Sequence, residues 1–174
     1  GVLDTKLDPK PNDPYVMSHP SFVLEWADGR LLLVDVGMTR EGAASFGRPI
    51  ELVSGGQPIQ AIGSVGERLG VAATRIQATV FTHLHTDHVG WNTVARDGQW
   101  VPTFPNARYL IPRAEFDYWK GEYDKGDKAV QAGSFADSVL PILDAGLADF
   151  IDGSKDVAGC LTPERVPGHR LGRK

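Results

Sequence analysis

The chain has 174 residues, which suits one domain, and 41% of them are apolar, enough for a sizeable core. A net charge of −4 gives no electrostatic reason to expect nucleic acid as a partner, and no apolar run is long enough to span a membrane. The single cysteine, Cys160, cannot close an internal disulfide, so it reads as a small buried apolar residue and leaves the compartment open.

In chain order, residues 1–18 are rich in Pro, Asp and Lys and read as an extended lead-in. The start, Gly1-Val2-Leu3-Asp4, lacks the basic and apolar regions of a signal peptide. Residues 21–26 (Ser-Phe-Val-Leu-Glu-Trp) read as a strand, Asp28-Gly29 as a hairpin turn, and Leu31 to Val34 as the returning strand. Residues 37–57 hold five glycines and little periodicity and read as a loop. Pro58 then opens a helix that puts Ile59, Ile62, Val65 and Leu69 on one core face and closes at Gly70. Residues 77–82 are short, β-branched and apolar, a buried strand. Arg108 to Ile111 is another, and Pro112 starts a short helix through Trp119. Residues 127–145 read as helical with a break or kink at Pro141. Asp149 to Ile151 and Cys160 to Val166 read as the last strands. The alternation predicts a single α/β layered domain, with no linker or internal repeat.

The segment His83-Leu84-His85-Thr86-Asp87-His88 carries the chemistry. It holds three of the five histidines and follows the strand at 77–82. Neutral imidazole and carboxylate are ligands for zinc and similar divalent ions. Alternate side chains at a strand end point the same way, so His83 and His85 can converge on one ion. Asp87 and His88 lie past the strand and can face a second ion, with Gly90 providing a tight turn into a helix. Two ions about 3.5–4 Å apart can clamp a hydroxide and polarise a substrate oxygen. A lone histidine is more commonly an ordinary surface residue; this spacing, with a carboxylate in register, points to metal.

His83-x-His85-x-Asp87-His88 resembles the signature of the metallo-β-lactamase superfamily. Leu33-Val34-Asp35-Val36-Gly37 resembles that superfamily's early strand ending in Asp and Gly, and Val166-Pro167-Gly168-His169 resembles its later segment supplying a third histidine. Phe104 to Tyr109 and Ala114-Glu115-Phe116 look like the branch holding N-acyl homoserine lactonases and methyl parathion hydrolases. The resemblance implies an αββα sandwich, of which this chain is the first αβ half plus the third-histidine segment. It implies a first metal on His83, His85 and His169 and a second on Asp87 and His88. Asp35 would orient a ligand imidazole. A bridging hydroxide would attack a carbonyl or phosphoryl centre, with Asp87 handling its proton. The family also carries a bridging Asp and a further His, and neither follows His169 here, so the domain is expected to be C-terminally incomplete.

These readings lead to a hydrolase that uses one or two Zn²⁺ ions, or another divalent metal, on a small lactone, ester or phosphotriester. The alternative is a catalytically incomplete metal-binding fragment or scaffold. Half a sandwich exposes an apolar sheet face, so a homodimer or a swapped pair is expected to cover it. Trp91 is the best aromatic to line a pocket, being three residues past His88; Trp100, Phe104, Tyr118 and Trp119 read as packing residues. The acidic and basic residues from Glu115 to Asp127 read as a solvated face, and His19 as a surface histidine.

Overall fold

The structure is a computed structural model that describes residues 20–38, 53–54, 57–58, 70–153 and 161–164. The lead-in 1–18, His19, the helix expected after Pro58, Cys160 and His169 all lie outside the described residues.

Among the described residues, nine strands form three sheets. The main sheet has the order β1 (Phe22–Glu25), β2 (Leu31–Val34), β5 (Ile76–Val80), β8 (Arg108–Pro112) and β9 (Ala148–Ile151). β1 and β2 are an antiparallel hairpin, closed by a turn in which Gly29 takes a φ of 82° that favours glycine. β2, β5, β8 and β9 run parallel, so their carboxyl ends share one edge of the sheet. Two short antiparallel pairs lie apart from it: β3 (Val53–Ser54) with β4 (Gln57–Pro58), and β6 (Thr93–Arg96) with β7 (Gln99–Pro102). Pro58 is the second residue of β4, and the helix expected to follow it lies outside the described residues.

The core follows from the apolar runs. On one face of the sheet Leu33, Tyr109 and Ile111 are fully buried against Phe104, Phe135, Val139 and Ile142, with Phe116 close behind. On the other, Leu32, Ala78, Val80 and Ile151 form a smaller cluster. A parallel strand buried on both faces reads as a continuous apolar run, which is what β2 and β5 show.

Among the described residues the α-helices are α1 (Thr86–Val89), α2 (Arg113–Asp124) and α3 (Leu140–Asp144). α2 runs a turn beyond the expected end at Trp119. The stretch 127–145, expected to be helical with a break or kink at Pro141, is interrupted earlier than that. Gln131 and Ala132 take left-handed backbone angles, residues 135–139 form a π-turn, and only then does α3 begin, with Pro141 in its first turn. A proline there breaks nothing downstream, because first-turn N–H groups have no helical partner.

Candidate metal centre

The site is built at the shared carboxyl edge of the parallel strands. β5 ends at Val80 and delivers Thr82, His83 and His85; β2, beside it, ends at Val34 and delivers Asp35. In open parallel sheets this edge is where ligands bind. His85 occupies the N-cap position of α1, and its carbonyl accepts the amides of His88 and Val89. Asp87 and His88 thus lie in a helical turn that begins at Thr86, earlier than the turn expected at Gly90. Gly90 itself has helical angles, so no left-handed turn is needed there.

Asp35 organises the edge. Its carboxylate accepts the Thr82 amide at 2.9 Å, the Thr82 hydroxyl at 2.8 Å and His88 Nδ1 at 2.8 Å. It is 5% exposed and sits at φ 54°, in the left-handed region. Asp35 and Glu115 are the buried acidic residues among those described.

The hydrogen bonds assign the ring tautomers. Thr82 has one hydroxyl proton and gives it to Asp35, which can only accept. His83 Nδ1, 3.0 Å from that hydroxyl, is then the donor, leaving its lone pair on Nε2. His88 likewise donates from Nδ1 to Asp35, and its Nε2 lies 3.2 Å from Asp87 Oδ2. Burial works against a charge on His88, but the hydrogen bonds to Asp35 and Asp87 outweigh it and push its pKa up to about 9. A carboxylate beside each ring nitrogen favours the imidazolium form.

The structure brings together His83, His85, Asp87, His88 and Asp35. The His83 ring centroid lies 4.4 Å from that of His85 and 3.9 Å from that of His88. His169 lies outside the described residues. As the side chains stand, no group of three or more His, Cys, Asp or Glu among the described residues is arranged to hold a metal ion. Both nitrogens of His88 are turned toward carboxylates. The donor chemistry nevertheless fits a divalent ion: three crowded imidazoles and a carboxylate.

Two neighbours were not legible as site residues. The Trp119 ring lies edge-on to His85 at 5.9 Å, and Glu115 accepts both the Leu84 amide and the Trp119 indole N–H. Glu115 is buried, which corrects its expected place on a solvated face. The spacing of four between Glu115 and Trp119, one helical turn, was the available signal. Trp91, expected to line a pocket, is half-buried and packs against the main core.

A profile described as the metallo-beta-lactamase superfamily matches residues 14–172. Among solved structures, that of a hydrolase in the beta lactamase superfamily is 23% identical, with a TM-score of 0.51, over 80% of this chain and 44% of its own. An N-acyl homoserine lactone hydrolase, solved with the product N-hexanoyl-L-homoserine at its catalytic metal center, is 22% identical with a TM-score of 0.54. That match covers 87% of this chain and 54% of the hydrolase. The chain therefore spans about half the length of these solved structures. No curated protein matches it.

Proposed function

Because the chain belongs to the metallo-β-lactamase superfamily, we propose that it carries the first-half ligands of a metal-dependent hydrolase acting on a lactone, ester or phosphotriester. The observation that supports this is the crowding of His83, His85 and His88 beside Asp87 at the carboxyl edge of β5. In this reading His83, His85 and His169 hold a first zinc ion, and Asp87 and His88 a second. A divalent metal, when bound, polarises the substrate's carbonyl or phosphoryl oxygen and acidifies water.

The chain's own residues supply the rest. Asp35 fixes the His88 ring through Nδ1, so that Nε2 is the ligating nitrogen once the proton is lost. Thr82 does the same for His83 by relaying the Asp35 carboxylate to its Nδ1. Asp87, half-buried beside His88, accepts the proton released from the attacking water. Trp119 forms an apolar wall beside His85.

A second reading, a metal-binding fragment without turnover, draws on the chain spanning about half the length of the solved relatives. One experiment separates the two. The chain is reconstituted with zinc, its metal content measured by elemental analysis, and hydrolysis of an aryl ester, a lactone and an aryl phosphotriester followed with and without chelator. Two ions per chain and chelator-sensitive turnover support the hydrolase; one ion and no turnover support the fragment. His85→Ala is expected to lose both metal and activity, and unchanged activity in that variant would rule the mechanism out.

A further inference from the structure

Two buried carboxylates flank the histidine segment, and only Asp35 has been given a role so far. The other, Glu115, is 3% exposed in the first turn of α2, where Asp117 and Asp124 of the same helix stand in solvent. Taking an acidic side chain out of water is unfavourable unless it is matched by donors. Here Oε2 accepts two: the Leu84 amide at 3.2 Å and the Trp119 indole N–H at 3.2 Å.

The identity of the first donor matters. Leu84 lies between His83 and His85, and its side chain is fully buried in the core. With the amide bonded to Glu115 and the side chain packed, the peptide that joins the two imidazoles is held from both ends. The second donor orients the Trp119 ring, which lies against His85. One carboxylate oxygen on α2 therefore links the backbone between two histidines to the aromatic wall beside one of them. Asp35 holds the same segment from β2, through the Thr82 amide and His88.

We propose that Glu115 is a positioning residue that clamps the Leu84 peptide and Trp119, setting the spacing of His83 and His85 for a shared divalent ion; the metal part of this rests on the hydrolase reading above. Groups that orient metal ligands from behind contribute about 10–100-fold to metal affinity. Glu115 does not touch the ion or the substrate; it acts through the main chain.

The test has a readout that needs no metal. Hydrogen exchange at the Leu84 amide is compared in the parent, Glu115→Ala, Glu115→Asp and Glu115→Gln, and each chain is titrated with Co²⁺ followed by visible absorption. Glu115→Gln keeps an acceptor oxygen at the same reach, so Leu84 protection and cobalt affinity stay within about threefold of the parent. Glu115→Asp keeps the charge but shortens the arm by one methylene; it and Glu115→Ala expose the Leu84 amide and weaken cobalt binding by about tenfold or more. Asp also covers the case in which the Ala variant does not fold. Unchanged Leu84 exchange in Glu115→Asp overturns the clamp, and so does lost protection with unaltered cobalt affinity. If the parent takes up no cobalt, the metal reading falls on its own; faster Leu84 exchange in Asp with rescue in Gln still supports the clamp.

Discussion

Asp35 is held in a left-handed conformation that costs a non-glycine residue about 1–2 kcal/mol, and its carboxylate collects three donors there. Strain maintained by such bonding is a mark of a working site. Asp35→Ala frees the His88 ring and the Thr82 turn together. Zinc affinity, measured by competition with a chromophoric chelator, is expected to fall by about 10–100-fold. Asp137 makes a contrasting case away from the site. Burial raises its pKa, against a hydrogen bond from the Ser138 hydroxyl that lowers it. An acid with a raised pKa in the fold favours the folded state when protonated, and that advantage is lost as pH rises through the raised value. Asp137→Asn is therefore expected to raise the melting temperature by a few degrees at pH 7, the gain shrinking toward pH 4; a gain equal at both pH values would contradict it. At this scale the histidine segment and Asp35 were legible as a cluster, because they are local patterns. Glu115 and Trp119 were not, since their roles come from where α2 meets the histidine segment after β5.

The segment 127–145 shows how one element can mislead a sequence reading. Its composition reads as helix, yet Pro141 has no N–H to give the carbonyl four residues back, that of Asp137. Thr93 Oγ1 donates to that carbonyl at 2.7 Å, and Asn92 Nδ2 donates to the next, of Ser138, at 3.0 Å. The π-turn at 135–139 is thus fastened by side chains that follow directly on the histidine helix. The fastening makes a coupling prediction. Thr93→Val strands the Asp137 carbonyl, and leaving a buried acceptor unpaired costs about 1–3 kcal/mol. Pro141→Ala restores an N–H that can serve that carbonyl, so Thr93→Val is expected to cost less in its presence. A double-mutant cycle by urea unfolding measures the difference; strict additivity would show the hydroxyl does not stand in for the missing amide. The pair β6–β7 was readable in principle, since Asp97-Gly98 between Thr93–Arg96 and Gln99–Pro102 is a two-residue hairpin signal with both residues at positive φ. Its strands lack apolar alternation, and half of their residues are exposed, which hid it.

For the whole molecule, the parallel order β2-β5-β8-β9 and the histidines at its carboxyl edge follow from the strand-helix alternation of the sequence. What the sequence could not show was how each sheet face is covered. β1 pairs with β2 alone among the described residues, and Phe22 is 60% exposed, with Val23 and Leu24 more than a third exposed. By register Phe22 and Leu24 stand opposite Val34 and Leu32, extending the second apolar face to the rim of the sheet. An open edge strand with apolar side chains on both faces is a template for pairing with another chain. A homodimer through this edge, the partnership expected above, is the outcome we predict for the chain at tens of micromolar, read by light scattering. Phe22→Lys combined with Leu24→Lys places charges on the rim without touching the histidine segment. That variant is expected to scatter as a monomer with its zinc content unchanged, and a parent that is already a stable monomer would refute the edge as an interface.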